Sequence, residues 1–184
     1  MRLSDEIYEY IKQVVADMFV ECNIKGVPIS AFEVAMRLGL TVIPYTAMGR
    51  KERIKALLYS KDGFSVETNN GEWIIYYNDS DKNYGRINQT IMHEVGHYLL
   101  GHTEEGEEEE SEAKFFAKYA LASPPLIHNM EEEKSVENVM DKFAIGYEAA
   151  IYAINYYRKW LKYGEVDYVN YELQILIQLE IEVA

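Results

Sequence analysis

Apolar residues at Ile7, Ile11, Val14, Val15 and Met18 recur with the spacing of one helix face and predict a helix over 5–22. Ser4 stands before it as an N-cap. After Gly26-Val27-Pro28, Ser30 opens a second helix over 31–38, which Gly39 stops. From residue 40 to 77 the period shifts to two. Segments 41–45, 54–60, 64–68 and 72–78 are short and rich in β-branched and aromatic residues. Asp62-Gly63 and Asn70-Gly71 supply turn chemistry between antiparallel neighbours, so this region predicts a small antiparallel β-meander. A loop over 79–85 leads to another helix beginning near Asn88.

Three further helices are expected, over 112–122, 136–143 and 147–163. Pro124-Pro125 breaks the first from the second, and Gly146 separates the second from the third. In the tail, Leu173, Ile175, Ile177, Leu179, Ile181 and Val183 alternate with mostly polar residues, a strand signature with a helix as the competing reading. An exposed strand there would be an edge open to pairing, including homodimerisation. The pattern as a whole predicts an α+β fold, with a core over 1–125 and a helical appendage over 126–184.

One helical turn carries concentrated chemistry. His93-Glu94-Val95-Gly96-His97 places two imidazoles four residues apart, where both can reach one metal ion, and sets a carboxylate between them. On a helical projection Ile91, Val95, Tyr98 and Leu99 form the apolar stripe, while His93 and His97 fall on the opposite side. A histidine that merely fills a core would lie within that stripe.

A zinc ion held by two histidines needs a third protein ligand and leaves a fourth position for water. His102 is too far round the helix from His97 and suits the helix end, where an imidazolium complements the dipole. His128, after the two prolines, is expected in solvent. The acidic run Glu104, Glu105, Glu107, Glu108, Glu109, Glu110 and Glu112 is the better source, although most of a like-charge run must be solvated. The helix after it buries Ala113, Phe116, Ala117 and Ala120. Glu109 aligns with that stripe if the helix starts early, and Glu112 lies at its edge, so spacing leaves Glu112, Glu109 and Glu108 open.

Composition narrows the function. The 184 residues are 48 % hydrophobic and include no 18-residue apolar run, which predicts a globular chain without a membrane-spanning helix. The N-terminus runs straight into an acidic amphipathic stretch unlike a signal peptide, and the single cysteine, Cys22, has no internal partner. Both point to a cytoplasmic setting. A net charge of −13 argues against direct nucleic-acid binding and favours a basic partner or a small ligand. Residues 136–163 mix Lys142, Arg158, Lys159 and Lys162 with Glu137, Asp141 and Glu148, which reads as a packing or partner-binding element.

The stretch from His93 through Tyr98-Leu99-Leu100-Gly101 to His102, then Glu112-Ala113-Lys114-Phe115-Phe116-Ala117 and Ser123-Pro124, resembles the ImmA/IrrE family of zinc-dependent peptidases. The resemblance implies a zincin-like core followed by a helix-turn-helix-like region, here 136–161. It implies Zn²⁺ as cofactor, His93, His97 and Glu112 as metal ligands, and Glu94 as the catalytic base. Lys114 stands where the family has Asn, residues 86–90 lack its usual Arg-Phe-Thr, and the alternating tail is not part of its pattern.

Under that resemblance, zinc lowers the pKa of a bound water to roughly 7, and Glu94 accepts the water proton and delivers it to the leaving amine. Family members typically act on a helix-turn-helix repressor of a mobile element or stress regulon. The implied partner is therefore a basic regulator, which the acidic segment 104–112 would steer inward. Two other functions compete: a zinc-containing interaction protein that binds a regulator without cutting it, and a hydrolase of small amides. Glu94 favours an enzyme, because a binding module has no need of a carboxylate between its ligands.

Overall fold

The computed structural model describes residues 2–80, 82–103, 106–164 and 167–181. It is an α+β fold, mostly helical, around one small mixed sheet. Helix α1 (Asp5–Glu21) is capped by Ser4, whose Oγ accepts from the Ile7 amide, and it buries Ile11, Val15, Ala16, Met18 and Phe19. Helix α2 (Ala31–Arg37) is capped by Ser30 in the same way. Both match the sequence expectation. Cys22 is buried between them, and its burial pushes the thiol up to about 11, as fits a packing residue.

The predicted four-stranded meander is corrected. Strands β1 (Thr41–Pro44), β2 (Gly63–Glu67) and β3 (Trp73–Tyr77) form a sheet in the order β1-β3-β2. β2 and β3 pair antiparallel, but β1 and β3 run parallel, with Val42 opposite Ile75. The expected strand over 54–60 is instead part of helix α3 (Arg50–Tyr59). Its Arg, Lys, Glu, Ala and Leu content favours a helix, and Ile54, Leu57 and Leu58 repeat at i, i+3 and i+4. The chain thus crosses over from β1 through α3 before the hairpin returns to the centre of the sheet.

Helix α4 (Tyr84–Leu99) starts a turn earlier than expected because Asn83 caps it, its Oδ1 accepting from the Arg86 amide. Asn88 is fully buried and locks α4 to the α2 entry: it accepts from the Ala31 amide at 2.7 Å and donates to the Ile29 carbonyl at 2.8 Å. Helix α5 (Glu107–Leu121) packs along α4, and at the crossing Gly96 lets Phe116 approach. A Cβ on Gly96 would stand 3.0 Å from the Phe116 ring.

The remaining helices are α6 (Pro124–His128), α7 (Val136–Phe143), α8 (Tyr147–Tyr163) and α9 (Asn170–Gln178). The bounds of α7 and α8 are those expected. The tail's strand signature is corrected: α9 is a helix that buries Glu172, Ile175 and Leu176, with Leu179 buried just beyond it. The apparent alternation arises because Leu173 and Ile177 lie off that stripe, while Ile181, beyond the left-handed turn at Glu180, packs against the core. Val183 lies outside the described residues. α9 packs on α1, tied by Tyr171 to Glu9 and Gln174 to Asp17, so this segment offers no strand edge. Segments 1–125 and 126–184 share one continuous cluster of buried side chains from Leu3 to Leu179. The α7–α8 turn, with Ala144 at φ 50°, abuts the start of α4, where a Cβ on Gly85 would meet the Ala144 carbonyl at 2.9 Å.

Candidate metal centre

The α4–α5 crossing brings three ligand-type side chains together. His93 and His97, one turn apart on α4, aim their Nε2 atoms at a common point, 3.1 Å from each other. Glu110, in the first turn of α5, reaches the same point. Its Oε2 lies 3.6 Å from His93 Nε2 and its Oε1 lies 3.4 Å from His97 Nε2. Among the described residues these three form the group whose ligand atoms lie within 4.8 Å of one another. A tetrahedron with metal–ligand bonds of about 2.05 Å has edges of about 3.3 Å. The observed separations match that edge, so the donor set fits a four-coordinate ion with one position left over.

Glu112, which the resemblance nominates, is placed differently. Its Oε2 faces His102 Nε2 at 3.0 Å, and His102 Nδ1 faces His97 Nδ1 at 2.9 Å. The structure therefore brings Glu110, and not Glu112, to the two imidazoles. Residues two apart on a helix point about 200° apart, so only one of this pair can face α4's histidines directly. Glu108 and Glu109 do not join the group either; Glu104 and Glu105 lie outside the described residues. The signal for Glu110 was present in the sequence. Extending the buried stripe Ala113, Ala117 and Ala120 back by three residues reaches 110, provided that the helix begins at Glu107 and not at Glu112.

His102 also departs from expectation. α4 ends at Leu99, and Gly101 adopts φ +71°, which turns the chain so that His102 folds back onto His97. The tautomers of this chain are mutually determined. If His97 Nε2 is the lone-pair donor to a metal, Nδ1 carries the proton and donates to His102 Nδ1. His102 then carries its proton on Nε2 and donates to Glu112. Glu112, His102 and His97 thus form a relay that fixes the orientation of a candidate ligand.

Protonation favours lone pairs at the centre. Burial, with the adjacent His97, pushes His93 down to about 4, which leaves its imidazole neutral near pH 7. For Glu110, burial works to raise the pKa, but His93, Lys114 and His97 outweigh it and hold the carboxyl below its ordinary value. Lys114 Nζ lies 3.1 Å from Glu110 Oε2, so the residue that departs from the family's pattern is an ion-pair partner of the third donor.

Glu94 is buried on the neighbouring side of α4. Ser65 on β2 donates from Oγ to Glu94 Oε2 at 2.6 Å, a contact that sequence reading did not anticipate. Two clefts meet here. One of about 780 Å³ reaches His93, Glu94 and Glu110 and is walled by Arg86, Lys114 and the α7–α8 turn at Gly146 and Tyr147. The other, about 610 Å³, runs along β2 from Tyr59 to Glu67 and touches Glu94, His97 and Glu110. The α7–α8 segment therefore forms one wall of the site. Tyr98, expected in the core stripe, is 38 % exposed against Trp73, and His128 is exposed beside Tyr157, with its Nδ1 3.0 Å from the Tyr157 hydroxyl, and is not one of the grouped ligand-type residues.

No helix among the described residues is long and apolar enough to cross a membrane. No curated protein and no solved structure matches the chain. The family model for the IrrE N-terminal-like domain matches residues 45–155, more than half of the sequence, and spans α3, strands β2 and β3, the α4–α5 crossing and the first half of α8. On the two-histidine helix, the acidic helix packed across it and this match, the chain belongs to the ImmA/IrrE family of metallopeptidase-like proteins.

Proposed function

We propose that this protein is a zinc-dependent metallopeptidase of narrow specificity, with a zincin-like core, that cleaves or inactivates a helix-turn-helix transcriptional regulator. The observation that carries the hydrolytic reading is the tetrahedral-edge spacing of His93, His97 and Glu110 beside the buried carboxylate of Glu94. In this reading His93, His97 and Glu110 hold the ion. Glu112 and His102 keep the His97 ring in its tautomer.

A zinc ion bound there supplies Lewis acidity, polarising a scissile carbonyl and acidifying water. The chain supplies the rest. Glu94 takes a proton from the attacking water and passes it to the leaving amine nitrogen, which must be protonated to depart. Ser65 fixes the carboxylate for that transfer by donating to Oε2. The clefts on either side of Glu94 give an extended peptide room to lie across the centre.

The regulator as substrate follows the family resemblance. It is supported by charge, because Glu107, Glu108, Glu109 and Glu110 crowd the first turn of α5, from which Glu110 lines both clefts, and would steer a basic protein inward. The test is Glu94→Gln in the intact chain. The reading expects zinc and partner binding to persist while cleavage of the partner regulator stops. Full biological activity in Glu94→Gln would establish instead a protein that holds its partner without cutting it.

A further inference from the structure

Helix α3 has its apolar side turned the wrong way for a packing helix. Only Ala56 is buried. Ile54, Leu57 and Leu58 form a stripe at i, i+3 and i+4 on the opposite side, and they are 51 %, 41 % and 82 % exposed. Tyr59, at the helix end, is 61 % exposed. An isolated exposed leucine needs no explanation, but a contiguous stripe left open to solvent does, with Leu57 at its edge also bordering a cleft against Ile87 and Thr90 of α4.

The same helix holds the chain's concentration of positive charge. Residues 50–61 contain Arg50, Lys51, Arg53, Lys55 and Lys61 against the single carboxylate Glu52, a net charge of +4. With −13 overall, the remainder of the chain carries −17. By helical position Arg53 and Lys51 flank the apolar stripe on its two sides, and Arg50 continues it toward the N-terminus. Among the described residues no carboxylate ion-pairs with Arg50, Lys51, Arg53 or Lys55.

The stripe also leads to the candidate site. Tyr59 packs edge-on against Phe64 of β2 at 5.0 Å, and Tyr59 and Ser60 line the cleft that holds Glu94, His97 and Glu110. An occupant of α3 would therefore continue directly into that cleft.

We infer that α3 is a docking helix for a segment of the protein substrate that combines acidic with large apolar side chains and lies beside the bond to be cut. Leucine- or phenylalanine-type side chains cover Ile54, Leu57 and Leu58, while aspartates and glutamates pair with the flanking cations. A uniformly basic segment is repelled here and is left to the acidic first turn of α5. Calling the occupant a substrate rests on the proposed peptidase reading; the docking chemistry rests on α3 alone.

The test uses the full chain carrying Glu94→Gln, so that binding is read without turnover. Fluorescence anisotropy is recorded with a labelled peptide alternating Asp and Glu with Leu and Phe, and with its Lys and Arg counterpart. The acidic peptide is expected to bind and the basic one to bind at least about tenfold more weakly. Charge reversal at Arg50, Lys51, Arg53 and Lys55 together, and Leu58→Ser alone, should each weaken the acidic peptide by about tenfold or more. All of these side chains are exposed, and unchanged circular dichroism checks that the variants fold. Equal affinity for both peptides, or no effect of either variant, overturns the inference. So does loss, in the charge-reversed variant, of binding to phosphatidylcholine–phosphatidylglycerol vesicles or of a dimer seen by light scattering, if the peptide does not bind. Peptide binding together with full biological activity of the Glu94→Gln chain would leave the docking helix standing and remove the peptidase reading.

Discussion

Glu110 Oε1 stands 3.4 Å from His97 Nε2, although the two residues are separated by a chain reversal and lie on different helices. That relationship exists because Gly96 carries no side chain. With the Phe116 ring filling the space where a Cβ would sit, α5 comes close enough for its first turn to meet the histidine face of α4. Gly96→Val should force the helices apart. Phe116 is fully buried and has nowhere to yield, so the variant is expected to lose about 1–3 kcal/mol of stability in denaturant unfolding. Its metal affinity should fall with it.

The relay behind His97 predicts a graded effect. His102→Ala and Glu112→Gln should each leave one metal per chain at saturation but weaken affinity by about 10–100-fold, since the relay orients a ligand and supplies none. Competition with a chromophoric chelator measures this. Complete loss of stoichiometric metal in either variant would make that residue a ligand.

Ser65 holds Glu94 from the sheet. Ser65→Ala should keep metal content unchanged and lower kcat for a cleaved substrate, on the order of tenfold, with little change in KM. A change confined to KM would mean that Ser65 contacts substrate and does not position the base.

Acid should destabilise the metal-free protein in a defined window. His93 titrates at about 4 when folded, below its ordinary value of 6.5, so the unfolded chain binds the extra proton first. The stability that His93 contributes is fully present above 6.5 and is lost as pH falls from 6.5 through 4. Glu110, also held below its ordinary carboxyl value, adds a loss in the same direction at the acid end. Chelator-treated protein should therefore show a falling unfolding midpoint across this range. His93→Gln should flatten the upper part of that slope.

Much of the scaffold was readable because it is locally encoded. Ser4 and Ser30 cap α1 and α2, and α7 and α8 have the bounds that their periodicity gave. The misreadings share a cause. At Ile54 to Tyr59 and Leu173 to Ile181, apolar residues are dense enough to satisfy a period of two and a period of 3.6 at once, and only packing chose. α9 settles its apolar side on α1, whereas α3 leaves its own exposed, so neither stripe could be assigned to a core from sequence. At the site, His93, Glu94 and His97 were legible because one helical turn carries all three. Glu110 was obscured by its acidic neighbours, and its identification depends on where α5 starts. Ser65 comes from a strand far along the chain, brought in by the sheet's register, which no local pattern reveals.

Metal content of the purified protein tests the central claim most directly, with wild type beside His93→Ala, Glu110→Ala and Glu112→Ala. The account expects one zinc per wild-type chain, loss of stoichiometric metal in His93→Ala and Glu110→Ala, and retention at weaker affinity in Glu112→Ala. Full zinc in Glu110→Ala together with its loss in Glu112→Ala, or no metal in the wild type, would contradict it.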